Sequence, residues 1–508
     1  MKFFVFFSKM GQNKKQIFAK MKKNILVTTS IAYVNGAPHI GFAMELIEAD
    51  AYARWARSRG NRVLFSTGTD EHGAKIYRAA IEKGILPKDL TDQNAAKFQK
   101  LTKILNISND DFVRTTEPRH QKCAQKIWEK IAENGDFEKK EFSGKYCVGC
   151  ETFLGDRDLD ENGNCPNHKT PPEKVSQKNW FFALSKYSKN IQNLIESKKM
   201  RLLPDFRAPE ILEFAKSGFE DVSFSRPRVD LPWGVPVPGD DEQVMYVWCD
   251  ALSNYLTVAG FPDDKKWKDF WKKGEVVHFI GKDILRFHAG IWPAMLLSAG
   301  LPPPSKICVH GFLTSEGHKM SKSLGNVVDP FAVVAEFSGN PDPLRYFLLA
   351  EVPFGRDADF TQKRFLEMYH SKLGNGLGNF LNRVLVLSKK FPAAEKSEIS
   401  DEILAEKISN LPKKIDEKMK KCEIHAAISE IFQIIDFLNL DIDRQKPWIL
   451  GKENPEKAGE ILQNYKMALK KIAAELSNFL PATGEKIAEF LKSGKSEILF
   501  PRMETEKN

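Results

Sequence analysis

The sequence predicts an α/β protein built on an open parallel sheet, split by a cysteine-bearing insertion and followed by a helical bundle. Three observations carry this. Short β-branched runs ending in polar residues or glycine recur at Ile25 to Thr29, Val63 to Ser66, Val276 to Ile280 and Ile307 to Val309, the composition of strands buried on both faces. Between the second and third of these lies an insertion, roughly residues 118–230, that holds a cysteine cluster and many prolines. From about Thr361 onward apolar residues fall at helical spacing, as in Leu373, Leu377, Leu381, Val384 and again in Ile424, Ile428, Ile431, Ile435, Leu438. Asn375, Asn379 and Arg383 are displaced from the leucine row by two residues and so fall on nearly the opposite helix face.

At 508 residues the chain has room for about three domains. The formal net charge is +9, but residues 1–23 hold seven lysines and no acid, leaving 69 bases against 67 acids. A nucleic-acid surface must therefore be a local patch rather than a property of the whole molecule. No apolar run approaches the ~20 residues needed to span a bilayer. Phe3 to Phe7 is too short for a signal-peptide core and has no convincing small-residue cleavage site after it, and a lysine-rich, arginine-free segment is unlike a mitochondrial transit peptide. Met21 directly precedes the first strand run, so residues 1–20 are expected to be a disordered or mis-assigned extension. Seven clustered cysteines argue against a secreted disulfide scaffold and for the reducing cytoplasm.

Taken in order, residues 21–117 should form the first half of the sheet domain, 118–230 the insertion, 231–310 the second half, 311–360 a linker and 361–508 the helical domain. His39 sits where the first strand run gives way to a helix whose acids come early (Glu45, Glu48) and whose bases come late (Arg54, Arg57, Arg59), as the macrodipole favours. Helix N-termini bind phosphate, and Gly41 lets a nucleotide approach the backbone closely. Far downstream, the Gly/Ser-rich loop carrying Lys319-Met320-Ser321-Lys322-Ser323 supplies two lysines able to follow negative charge as pyrophosphate departs. In the insertion, Cys147, Cys150, Cys165 and His168 give four nitrogen or sulfur ligands in two close pairs, the pattern of one closed structural zinc site. Cys123, Cys249, Cys308 and Cys422 have no such partners and read as packing residues.

His39-Ile40-Gly41 and the complete Lys319 to Ser323 motif resemble the two hallmarks of the class I aminoacyl-tRNA synthetases, which have a Rossmann-like catalytic domain. The first motif departs at its last position, where Phe42 replaces a histidine that holds ATP in the transition state; loss of one such donor typically costs about 3 kcal/mol. Ala32 to Gly36, Thr67 to Gly73, Tyr246 to Ala251, His278 to Asp283 and the single zinc knuckle narrow the resemblance to the methionyl branch.

That resemblance implies ATP contacts from His39, Gly41, Asp283, Gly311, Lys319 and Lys322, with His39, Lys319 and Lys322 catalytic. It implies a methionine pocket of Ile31, Tyr33, Asp70, Trp248, Ala251, Leu252, Tyr255, Ile284, His288 and Trp292. An aromatic sleeve suits a thioether; Asp70 would meet the substrate ammonium, and Tyr33 and His288 would discriminate near sulfur. One methylene is worth only about 1 to 3 kcal/mol, so homocysteine is the expected error, cyclised in the synthetic site itself. The stretch Thr29 to Pro38 lacks the zinc-ligating cysteine of a cysteine enzyme. Asn379, Arg383 and Trp448 match positions that read the anticodon, by edge hydrogen bonds and stacking. The implied partners are ATP with Mg2+, L-methionine and tRNA(Met); the implied state is a cytoplasmic monomer. Two alternatives stand beside this ligase. A tRNA-binding paralogue impaired in adenylation is motivated by Phe42, and a small-molecule adenylyltransferase would have no use for the helical domain.

Overall fold

The computed structural model describes residues 22–503 other than 148, 150–151, 167–168, 321–324, 395–397 and 496. Strand β1 (Asn24–Thr29) is buried at every residue after the first. It leads through β2 (Ala32–Tyr33) to helix α1 (Ile40–Ser58), then β3 (Arg62–Asp70), helix α2 (Pro87–Ile104) and β4 (Asp111–Arg114). The chain next builds an antiparallel sheet from β5 (Phe137–Cys147), β6 (Thr152–Leu154) and β7 (Glu173–Phe182). Strand β8 (Arg201–Leu203) follows, and β9 (Val222–Ser223) pairs with the end of β7. The first sheet resumes with β10 (Glu275–Gly281) and β11 (Lys306–His310).

Among the described residues, seven strands form that first sheet in the order β2-β3-β1-β10-β11-β8, with β4 also on β3, and every pairing is parallel. The strand order reverses between β1 and β10. In open α/β sheets this leaves a crevice beyond the carboxyl ends of the strands. The insertion is not a simple interruption of the sheet: β8 lies within residues 118–230 yet returns to the main sheet, Arg201 opposite Lys306. Three residues are too few to show periodicity, so the sequence does not mark them.

Helix α1 is buried along most of its length because it lies between the sheet and a second set of helices. These are α3 (Asp342–Ala350), α4 (Asn379–Lys390), α5 (Glu402–Met419), α6 (Ile424–Gln445), α7 (Pro447–Glu453), α8 (Pro455–Leu476) and α9 (Pro481–Ser493). One hydrophobic core runs from Val27 and Phe279 of the sheet through Tyr52 of α1 to Phe347, Leu377, Ile428 and Leu469. A second, on the opposite sheet face, joins Leu26, Val276 and Ile280 to Tyr255 and Trp292. Leu373, Leu377, Leu381 and Val384 are buried, while Asn375 and Asn379 are exposed.

Polar contacts lock the same interface. Arg345 of α3 is wholly buried; it donates to Asp50 of α1 at 2.7 Å, to the Phe479 carbonyl at 2.8 Å and to the Leu105 carbonyl at 3.1 Å. At the far end of α1, Asp416 accepts from Trp55 at 2.8 Å and from Arg59 at 2.7 Å, and Glu475 accepts from Arg59 at 2.8 Å. Cys308 of β11 and Cys422, between α5 and α6, are both buried and face one another, their Cα atoms 6.6 Å apart; residues 114 apart in sequence meet only once the helices have docked.

Removing Arg345 strands the buried Asp50 carboxylate. Arg345→Ala is expected to cost about 3 to 5 kcal/mol in denaturant unfolding; a loss below about 1 kcal/mol would show that Asp50 does not need this partner.

Candidate active site

The N-terminus of α1 opens onto the crevice. His39 caps it, its Nδ1 accepting from the Gly41 amide at 3.1 Å, so in the neutral ring Nε2 carries the proton and faces outward. A Cβ on Gly41 would stand 3.0 Å from the imidazole, so any larger residue would push on the cap. The segment after the lysine motif returns to this point, where Ile40 N–H donates to the Val328 carbonyl at 3.1 Å. Met320 packs on the same core as Phe42. The backbone of Lys319 lies in a short strand, His318–Lys319, while its side chain and the whole of Lys322 fall outside the described residues. Phe42 is half-buried and makes a T-shaped contact with Phe98 of α2, centroids 5.1 Å apart. A cleft of about 360 Å3 beside the helix start is lined by Ala37, Pro38, Lys97, Lys100, Val327, Asp329 and Phe331.

The floor of the crevice is lined by buried ionisable groups, most of them partnered, although one Glu48 carboxyl oxygen has no hydrogen-bond partner among the described residues. Glu45 and Glu48 are not first-turn acids serving the macrodipole, since the first turn of α1 has none; both are buried beneath it. Glu45 accepts from Ser30 N at 2.7 Å and Ser30 Oγ at 2.6 Å, and meets His310 Nε2 at 2.8 Å. His310 Nδ1 lies 2.8 Å from the Gly311 carbonyl, so both ring nitrogens donate and the imidazole is a cation. Burial alone would lower its pKa; the hydrogen bond and charge of Glu45, with Glu48 nearby, raise it to about 9. Burial pushes the Glu48 carboxyl up to about 8, with His310 pulling down and Glu45 pushing up.

At the end of β3, Asp70 is 8% exposed and stands in register with Tyr33. The two residues after it are fixed. Glu71 takes Arg114 through both oxygens, at 2.6 and 2.9 Å. His72 meets Asp250 at 2.6 Å, and His120 meets the other Asp250 oxygen at 2.7 Å. Burial would raise the Asp250 pKa, yet the two histidines hold it at about 2.

The opposite wall is neutral and aromatic. His288 accepts at Nε2 from the Tyr255 hydroxyl, 2.7 Å away, and donates at Nδ1 to the Ile284 carbonyl at 2.9 Å; burial depresses its pKa to about 4, so the ring is uncharged. Trp248 stacks on Phe287 at 3.8 Å and presents its edge region to His288 at 6.1 Å. Ile31, Tyr33 and Ile284 pack half-buried on the same core as Leu252 and Tyr255, with Ala251 buried next to Leu252. Trp292 is wholly buried, as Tyr255 and His288 are, and its indole N–H donates to His278 at 3.2 Å. His278 Nδ1 and Thr28 Oγ1 are 2.8 Å apart. Asp283 lies exposed just past β10 and Gly311 just past β11.

The remaining candidates lie apart from the crevice. Cys147 ends β5 and Cys165 opens a tight turn closed by Lys169 N to Cys165 O at 2.7 Å; both are buried. Their expected companions Cys150 and His168 lie outside the described residues. On α4 and α7, the Arg383 guanidinium lies 5.1 Å from the Trp448 ring centre and 2.6 Å from Asp443. With Asn382, Val386 and Leu387 they line a cleft of about 380 Å3, and Asn379 is exposed one turn before Arg383. Sequence reasoning gave Glu45 only a place in the helix dipole and assigned no role to His72, His120, Asp250, His278 or His310. The available signal was ionisable residues inside otherwise apolar strands and helices.

Comparison with known proteins follows the same lines. The family model described as tRNA synthetases class I (M) matches residues 25–174 and 161–385. The methionine–tRNA ligase of Brucella suis is 40% identical over 480 residues, covering 92% of this chain and 92% of the relative. That of Caldanaerobacter subterraneus is 40% identical over 517 residues, covering 96% and 80% respectively. Among solved structures, Mycobacterium tuberculosis methionyl-tRNA synthetase in complex with methionyl-adenylate superposes with a TM-score of 0.86 at 35% identity, covering 92% of this chain and 94% of that one. Its apo form gives 0.81 at 30% identity, covering 96% and 99%.

The charge pattern of the floor sets a pH dependence. His310 and Glu48 both hold a proton more tightly folded than unfolded, so both make stability fall as pH rises. The His310 contribution is complete below about 6.5 and lost through about 9, and the Glu48 penalty grows from about 4.5 to about 8. Urea unfolding should show stability declining from pH 6.5 to 9, with a shallower decline in Glu48→Gln. A wild-type profile that is flat over this window would overturn the assignment of these charges.

Proposed function

We infer the chemistry of this chain from the family to which it belongs, the class I tRNA synthetases specific for methionine: it is an ATP-dependent methionine–tRNA ligase. It joins L-methionine to ATP as methionyl adenylate with release of pyrophosphate, then transfers the methionyl group to the terminal adenosine of tRNA(Met). The observation that supports the ATP half of this reading is the Ile40 to Val328 hydrogen bond, which ties the segment following the lysine motif to the residue next to His39. There His39 Nε2–H, the positive end of α1 and the lysines Lys319 and Lys322 would neutralise charge developing on the departing phosphates. Gly41, Asp283 and Gly311 would complete the nucleotide contacts. Magnesium bound with ATP supplies countercharge to the triphosphate.

For the amino acid, Asp70 would take the ammonium, while Ile31, Tyr33, Trp248, Ala251, Leu252, Tyr255, Ile284, His288 and Trp292 would form or back the side-chain pocket. The neutrality of His288 supports this role, because an imidazolium would oppose burial of a thioether. The methionine carboxylate attacks the α-phosphorus in line, so catalysis is positioning and charge stabilisation without a covalent protein intermediate. Phe42 offers no hydrogen bond to the reaction. Its contact with Phe98 makes it a packing residue, and the phosphate-side work falls on His39 and the two lysines.

Two further elements complete the proposal. Cys147 and Cys165 have the buried thiol chemistry that zinc requires, and with Cys150 and His168 they would hold one structural ion that staples the turns of the insertion. Among the described residues alone there is no group of three or more possible ligands. Arg383, Trp448 and Asn379 would meet anticodon bases, the cleft beside Trp448 receiving a stacked ring. The protein is proposed to act as a cytoplasmic monomer; among the described residues no helix is long and apolar enough to cross a membrane.

Purified protein should exchange labelled pyrophosphate into ATP when given methionine, and much less with leucine or cysteine. Silence of the wild type with rescue by Phe42→His would instead identify a tRNA-binding paralogue. Trp448→Ala should leave exchange intact while slowing tRNA charging about 5- to 100-fold, the range of one lost base stack; equal loss in both assays would defeat the anticodon role. Metal analysis should find one zinc per chain in the wild type and little in Cys147→Ser, with a lower melting temperature. Unchanged metal content in the variant would remove Cys147 from the ligand set.

A further inference from the structure

On the β8 side of the crevice, an exposed ring sits in a cationic frame. Phe206, just beyond β8, is 52% exposed. Single exposed apolar side chains are ordinary, but this one has the Arg207 guanidinium 5.2 Å and the Arg356 guanidinium 5.8 Å from its centre. The frame is rigid. Arg207 donates to the Gly355 carbonyl at 2.7 Å, and the loop bearing Arg356 is pressed onto the end of β11 so closely that a Cβ on Gly311 would lie 2.2 Å from the Arg356 carbonyl oxygen. The next positions along the rim repeat the pairing of cation with ring. Lys282 lies 4.3 Å over Phe312 and Arg286 3.9 Å over Phe214. The acids close by are partly committed: Asp357 binds Lys282 at 2.7 Å, and Asp205 lies 3.9 Å from Arg201. Phe206, Lys282 and Phe312 follow the carboxyl ends of β8, β10 and β11, the edge at which the crevice opens.

A preformed aromatic face flanked by guanidinium groups is the equipment for a single nucleic-acid strand, whose bases stack while its phosphates meet the cations. Double-stranded RNA offers no free base face to such a ring. We propose that Phe206, Arg207 and Arg356 receive the unpaired 3′ end of the tRNA and guide its terminal adenosine toward the crevice between β1 and β10. The inference rests on the methionine–tRNA ligase reading and adds to it the entry point of the second substrate.

The test separates the two half-reactions. Phe206→Ala and Arg356→Ala should keep the wild-type rate and ATP KM of methionine-dependent pyrophosphate exchange, and the same melting temperature. Each should lower kcat/KM for charging of intact tRNA about 5- to 100-fold, with Phe206→Trp restoring it. Binding of tRNA lacking its unpaired 3′ nucleotides should be the same for wild type and variants. Undiminished charging would overturn the proposal. A raised ATP KM would reassign the ring to the nucleotide, and equal weakening toward truncated tRNA would reassign the patch to the stem; either overturns it. Absence of exchange in the wild type would remove the ligase reading itself, and the proposal with it.

Discussion

The buried pair Asp50–Arg345 is the constraint on which the rest of the molecule turns. Desolvating a carboxylate and a guanidinium costs several kcal/mol for each ion unless their remaining polar atoms are satisfied. Here Asp50 also accepts from Arg54 at 2.8 Å and from the amide and hydroxyl of Ser108 at 2.7 and 2.6 Å. Arg345 spends its other donors on the carbonyls of Leu105 and Phe479. Three segments distant in sequence, those of Leu105 to Ser108, Arg345 and Phe479, are thereby fixed to the middle of α1. Its carboxyl end is held by Asp416 and Glu475, and its amino end is left at the mouth of the crevice. The helix is a rigid strut between the helical domain and the phosphate side of the site.

Around that strut the crevice separates charge from neutrality. On one side Glu45, His310, Asp250 and Glu71 are buried with partners in place, and they position Ser30, His72 and the end of β3. On the other, Tyr255, His278, His288 and Trp292 pass hydrogen bonds among neutral rings. The same low dielectric explains both: it strengthens a satisfied ion pair and drives a lone imidazole to its uncharged form.

The four principal strands were legible because β-branched runs leave a local trace, and they were found within three residues at their starts, β3 alone running four residues past the end its composition showed. The face of α4 that carries Asn379 and Arg383 was legible for the same reason, since period alone assigns it. What could not be read locally depends on partners far along the chain. Glu45 and Glu48 look like acids placed for a helix dipole until His310, some 265 residues away, is known to lie beside them. Cys308 and Cys422 look unrelated until docking of the helices brings them face to face. Trp292 matches a pocket position by resemblance, and only packing shows that its indole is turned to His278. The three residues of β8 are invisible because a strand so short has no pattern of its own.

The pairing of β1 with β10 has a temporal consequence. Ile25 lies opposite Glu275, so β1 is made long before its neighbour exists. At roughly 5 to 20 residues per second on the ribosome, one edge of a strand that ends up wholly buried waits about 10 to 50 s for its partner. During that interval the antiparallel sheet of the insertion, whose strands are close in sequence, can fold and hold the two halves of the chain near one another. The open edge of β1 thus belongs to the nascent chain alone and closes only when β10 has been made.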